Sequence, residues 1–163
     1  MRKFILAVLL VLVLSFPAYG AGWSVAAAGP VDGIVVGNYA VFGLTFTSDG
    51  NALSARDLIA NDIKSSLLKK RIQGRTLYAM NVCPGTSGVA PNAAFDITIT
   101  NDFGKTLLAA TSVSHTADSW PSVTATMSAY PPILTKFNVA FGDIGDSGDQ
   151  VTVYFYFWVE PVE

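Results

Sequence analysis

The chain holds one cysteine, one histidine and two glutamates among its 163 residues, and each scarcity excludes something. A lone cysteine, Cys83, cannot close an internal disulfide. One cysteine and one histidine, His115, fall short of the ligands that a structural zinc site needs. The only glutamates, Glu160 and Glu163, stand at the C-terminal end, so nothing marks a catalytic carboxylate pair. Charged residues make up only 13% of the chain. No glycine-rich phosphate loop occurs, because the glycines at 142–148 precede a strand, whereas phosphate cradles precede a helix. The apolar run at residues 4–14 is short of the roughly twenty residues that span a bilayer.

What the N-terminus does contain is Arg2 and Lys3, that apolar run, Pro17, and the small residues Ala18 and Gly20. This is the order of a secretory signal peptide over residues 1–20, with cleavage expected before Ala21 and retention as a membrane anchor as the alternative. Residues 21–163 suit one domain with a proper core. They keep eight basic and twelve acidic residues, a net charge near −4. That balance argues against non-specific nucleic-acid binding, which depends on neutralising phosphates. The expected location is secreted, periplasmic or cell-surface, with no stable membrane insertion once the signal is removed. In such a protein Cys83 is a buried inert thiol, an intermolecular link, or an exposed reactive group.

Alternation with a period of two dominates the rest. Phe95, Ile97 and Ile99 alternate with Asp96, Thr98 and Thr100, and Asn101, Asp102 and Gly104 then supply a turn into Leu107 and Leu108, which reads as a hairpin. Residues 34–47 read as one or two strands, 76–83 as another with Leu77, Ala79 and Asn81 on one face, and 137–141 as a further one. Residues 21–30 are a first edge strand or a flexible arm. Residues 111–132 form a long connection with a short strand at 123–127. Residues 54–72 carry the one helical signature: Ser54 and Asp57 resemble a capping box, and Leu58, Ile59, Ile63, Leu67 and Ile72 share a face, with Gly74 as the stop. Five of the eight basic residues fall there (Lys64, Lys69, Lys70, Arg71, Arg75), either as a solvated helix end or as a partner-binding patch. The fold class expected is therefore all-β, an antiparallel β-sandwich of immunoglobulin-like or jelly-roll-like type with at most one short helix around residues 55–70.

The final strand has two sticky faces. Val151, Val153, Phe155, Phe157 and Val159 suit a core, while Tyr154, Tyr156 and Trp158 form an aromatic row on the other side. So broad an apolar stripe is either an interface with a subunit or partner, or is covered by the helix or the N-terminal arm. For chemistry there is less. Ser114, His115 and Asp118 cluster in sequence, which is not the geometry of a catalytic triad. Asp143, Asp146 and Asp149 lie three apart in a glycine-rich loop; this is a candidate calcium site, although the spacing matches no EF-hand and a solvated turn explains it.

The segments FTSDGN from Phe46, PGTSGVAPN from Pro84, FDITITNDFG from Phe95 and GDSGDQVTVYF from Gly145 stand in an order that resembles small β-rich proteins of tailed bacteriophages. In those, a tryptophan usually occupies the place of Phe46. The resemblance implies a virion-associated decoration or minor structural protein of β-sandwich type without enzymatic activity. The signal peptide departs from it and implies recruitment to a surface or extracellular assembly. The expected function is that of an exported, non-enzymatic structural protein that associates with itself or with another assembly protein, with no cofactor and Tyr154, Tyr156 and Trp158 as the interface. A secreted carbohydrate-binding or adhesive β-sandwich module is the alternative.

Overall fold

The computed structural model describes residues 22–85, 89–118, 120, 132–142 and 144–158. The expectations for residues 1–20, for a strand at 123–127 and for Val159, Asp143, Glu160 and Glu163 lie outside them. The two longest strands form the spine. β3 (Tyr39–Asp49) runs antiparallel to β9 (Ser147–Trp158), placing Phe42 opposite Phe155, Leu44 opposite Val153 and Phe46 opposite Val151. β5 (Leu77–Pro84) pairs with the other edge of β9. β1 (Ser24–Ala27) and β2 (Ile34–Val36) lie one after the other along the free edge of β3. The second sheet consists of β4 (Leu53–Asp57), β8 (Phe137–Phe141), β6 (Phe95–Asn101) and β7 (Thr106–Val113), in that order.

The fold is all-β, two antiparallel sheets face to face. β3 pairs with β9 in one sheet while β4, next in the chain, pairs with β8 in the other, and β6 and β7 form the hairpin where this ribbon turns back. Such a rolled ribbon is the pairing of a jelly roll rather than of an immunoglobulin sandwich. Alternation explains the core: Val151, Val153, Phe155 and Phe157 are fully buried, as are Ile97, Ile99, Phe137 and Val139. The Phe137 ring stands edge-on to Phe155 and Phe157 at 5.1 and 5.5 Å. Each such side chain contributes about 1.5–3 kcal/mol by leaving water.

The helical region differs from its expectation. Residues 53–57 continue as β4, and two short helices follow, α1 (Leu58–Asn61) and α2 (Ser66–Ile72). Asp57 is itself the N-cap of α1, accepting from the amides of Ile59 and Ala60, and Ser65 caps α2 through the Leu68 amide. Leu68 takes the core position and Leu67 is exposed. Gly74, with φ +76°, ends the segment as anticipated, in the left-handed region glycine enters freely. The helices close the side of the sandwich between β4 and the β1–β2 edge: the Arg56 guanidinium makes paired bonds of 2.8 Å to Asp62 and donates to the Trp23 carbonyl.

Two other details depart from the pattern. A register shift between Leu77 and Ala79 places Leu77, Met80 and Val82 in the core and turns Ala79 and Asn81 outward, so the expected Leu77–Ala79–Asn81 face is split by one residue. β9 begins at Ser147, inside the segment read as a loop, and Ile144 just before it is fully buried. The N-terminal segment is an edge strand, anchored by a buried Trp23.

Candidate functional site

The outer face of the five-stranded sheet carries the aromatic row. Register places Tyr39 beside Trp158, Val41 beside Tyr156 and Gly43 beside Tyr154. Because Tyr154, Tyr156 and Trp158 alternate with core residues, all three point away from the core. At one end Tyr39 meets the Trp158 ring edge-on at 5.4 Å and the Tyr78 ring at 5.0 Å, and Tyr78 reaches Trp158 at 6.2 Å. Offset and edge-on contacts are the favoured arrangements for such rings. The hydrogen bond with Tyr78, then burial, holds the Tyr39 hydroxyl above its ordinary pKa. Trp158 and Tyr78 remain 42% and 49% exposed.

Farther along the face, the Trp120 ring lies 5.4 Å from Tyr156 and is itself 61% exposed. Burial, then the neighbouring Cys83 and Tyr154, raise the Tyr156 pKa. The face then becomes polar. The Thr45 and Thr152 hydroxyls bond at 2.8 Å, and the Cys83 thiol donates to the Asn81 side-chain oxygen at 2.7 Å. Burial, followed by the charge and hydrogen bond of Asp118, pushes the Cys83 thiol up to about 11. The thiol is therefore half-buried and protonated at neutral pH.

Among the described residues neither anticipated cover lies over the aromatic row. β1 extends the sheet in its own plane and the helices close its side, whereas Trp120, from the connection after β7, covers Tyr156. Of Tyr39, Tyr78 and Trp120, none is marked by the sequence as a neighbour of the aromatic row. The first two sit where alternation from Ala40 and in residues 76–83 would have placed outward residues, but only the pairing of three strands brings them to Trp158.

The remaining candidates are placed elsewhere. Asp146 and Asp149 form a local turn in which the Asp149 carboxylate accepts the Asp146 amide and the Asp149 amide donates to the Asp146 carbonyl. Asp143 lies outside the described residues, among which no group of three His, Cys, Asp or Glu stands together as a metal site. The Ser114 hydroxyl accepts the amides of Thr116 and Ala117, and Asp118 sits by Cys83, so the Ser114–His115–Asp118 cluster is not drawn together as a triad. A polar groove of about 480 Å³ runs beside β4 and β8, past Arg56, Asn61, Lys136 and Asn138. An apolar cleft of about 280 Å³ lies between β1 and α2. No helix among the described residues is long and apolar enough to cross a membrane.

No protein-family model, curated protein or solved structure matches the chain.

Proposed function

We propose that this chain is an exported, non-enzymatic structural protein that self-associates, or coats a larger extracellular or phage-like assembly, through the outer face of its five-stranded sheet. The observation that carries the reading is the platform of the exposed Trp158 and Tyr78 with the half-buried Tyr39, continued by the half-buried Tyr154 and Tyr156. Tyrosine and tryptophan are enriched in the buried centres of protein interfaces, and a monomer gains nothing by holding so many rings in water. The sequence resemblance to small phage structural proteins points the same way. The rings pre-stack against one another, which lowers the entropy lost when a second surface covers them. Light scattering and electron microscopy of residues 21–163 test it. Defined oligomers, sheets or filaments that fall apart when Tyr154, Tyr156 and Trp158 are replaced by serine, with circular dichroism unchanged, support the reading; a monomer at all concentrations removes self-association and favours a coat that needs a different partner or a ligand-binding module.

The second reading is a carbohydrate-binding or adhesive module, in which the exposed faces of Trp158 and Tyr78 stack on sugar rings. The loops at 85–93 and 111–120, which would select the ligand in such a module, start at the far end of the sheet from Trp158, and Trp120 reaches only Tyr156. Saturable sugar binding by a monomer on a glycan array would favour this module.

A further inference from the structure

The two ends of the sandwich differ in charge and in apolar exposure. β9 runs from a turn end, where Ser147 faces Asp49, to a helical end, where Trp158 faces Tyr39. The segments that meet at the turn end, residues 47–54, 84–85, 89–96, 113–118, 142 and 144–150, contain no lysine or arginine. They do contain Asp49, Asp96, Asp118, Asp146 and Asp149. Every Lys and Arg of residues 22–158 lies instead on or around α2, on β4, on the β6–β7 turn, or just before β8. Lys69, Lys70 and Arg75 belong to α2 and its exit, while Lys105 and Lys136 flank the β6–β7 turn and the start of β8.

The acids at the helical end are outnumbered. Asp62 is paired with Arg56, while Asp57, Asp32 and Asp102 accept neutral amides or a hydroxyl and keep their charge, so eight cations stand against four carboxylates. Among the described residues Arg56–Asp62 is the one ion pair, so Lys69, Lys70, Arg75, Lys105 and Lys136 have no carboxylate partner there. β9 has twelve residues, which separates the two ends by roughly 35 Å, several Debye lengths, and each end therefore presents its own field.

Apart from Val31 and Trp120, the exposed large apolar side chains follow the cations. Ile34, Val35 and Val36 on β2 are about half exposed, and Leu67 on α2 is 45% exposed. Phe103, at the tip of the β6–β7 turn, is 68% exposed and stands near Leu134 at 43%. The Asp102 carboxylate fixes this pair by accepting the Leu134, Thr135 and Lys136 amides. No exposed large hydrophobic is found on the turn-end segments of the described residues.

We infer that the helical end docks, reversibly and tip first, on an anionic lipid bilayer. Uncompensated lysines supply attraction to phosphate headgroups, and Phe103, Leu134, Val35 and Val36 supply side chains short enough to enter the headgroup region without spanning it. The acidic turn end is repelled by the same surface, which fixes the orientation. The acidic end of a second copy matches the cations but offers no apolar surface to Phe103 and Leu134, so the lipid is the better partner. This inference is independent of the association through the aromatic row.

The described strands and helices all lie within residues 22–158, so residues 21–163 serve for the test without the apolar run at 4–14. Co-sedimentation is measured with vesicles of about 30% phosphatidylglycerol in phosphatidylcholine and with phosphatidylcholine alone. The expected result is binding to the anionic vesicles only, weakened by salt, weakened roughly a hundredfold by Lys69→Glu with Lys70→Glu, and about tenfold by Phe103→Ser with Leu134→Ser. Asp146→Asn at the turn end should leave binding unchanged. All replaced side chains are surface groups away from Tyr154, Tyr156 and Trp158, so the oligomeric mass should not change. Absence of binding, equal binding to both vesicle types, or lysine variants that instead dissolve an oligomer without vesicles would each overturn the inference, the last in favour of a second copy's acidic end.

Discussion

The Tyr154 ring lies against the Cα of Gly43, its partner in register across the β3–β9 pair; a Cβ on Gly43 would stand 2.6 Å from the ring and 2.7 Å from the Ala28 carbonyl oxygen. The glycine is there for space, not for backbone freedom. Without it the first ring of the aromatic row could not lie flat.

Gly43→Ala should therefore destabilise the fold by about 1–3 kcal/mol, as overpacking does. The check is urea unfolding, with a lower midpoint at unchanged slope. A variant as stable as the parent would mean that the ring swings aside at no cost.

Trp23 fixes the N-terminal strand. Its ring stacks on Phe141 at 5.6 Å and 9°, and its indole N–H donates to the Asn51 carbonyl at 2.8 Å. Trp23→Ala should cost about 3–5 kcal/mol. Trp23→Phe keeps the stacking and loses only the hydrogen bond, about 1 kcal/mol. Thermal melts rank the two, and equal losses would refute the division of roles.

The strands with strict alternation, β6, β8 and β9, were legible because one face is wholly core: Ile97, Val139 and Phe155 have no exposure at all. The β5 faces were not, since a one-residue register shift at Tyr78 is decided by pairing with β9, not by local sequence. Ser54 and Asp57 looked like a capping box, yet Ser54 belongs to a strand paired with β8 and Asp57 does the capping alone. The row Tyr154, Tyr156 and Trp158 was visible in one strand. Its neighbours Tyr39 and Tyr78, and the segregation of charge between the two ends, exist only once distant turns are brought together.

Asp102 should leave a signature at acid pH. Burial alone would raise its pKa, but the Thr135 hydroxyl and the amides of Leu134, Thr135 and Lys136 outweigh burial and lower it from 3.8 to about 2. A depressed carboxylate stabilises the fold above its unfolded pKa, and that contribution disappears as pH falls through the folded one. The stability difference between the parent and Asp102→Asn should thus be constant above pH ~5 and shrink between pH ~4 and ~2. A difference that stays constant across that window would show that the charge of Asp102 contributes nothing.

Cys83 should resist alkylation. With its pKa pushed from 9.0 up to about 11, its thiolate fraction near pH 8 is about a hundredfold below that of an ordinary cysteine, and the iodoacetamide rate should fall accordingly relative to the urea-unfolded chain. Asp118→Asn removes one of the two sources of the shift and should speed the reaction in the folded protein, though not to the unfolded rate, because burial remains. An unchanged rate in that variant would exclude Asp118 as a neighbour of the thiol in solution.

Trp120 and Trp158 offer opposite tests of the aromatic face. Trp158 is an exposed ring at the end of the platform, braced by Tyr39 and Tyr78, whereas Trp120 lies over Tyr156 and hides it. If the row is the contact between copies, Trp158→Ser removes an anchor, and loss of a central aromatic typically costs at least about 2 kcal/mol, or roughly thirtyfold in the dissociation constant. Trp120→Ser uncovers Tyr156 without touching the sheet, so association should stay level or tighten. Sedimentation equilibrium on the two variants reads both effects. If Trp120→Ser weakens association as much as Trp158→Ser, the contact is made by the connection after β7 rather than by β9 itself.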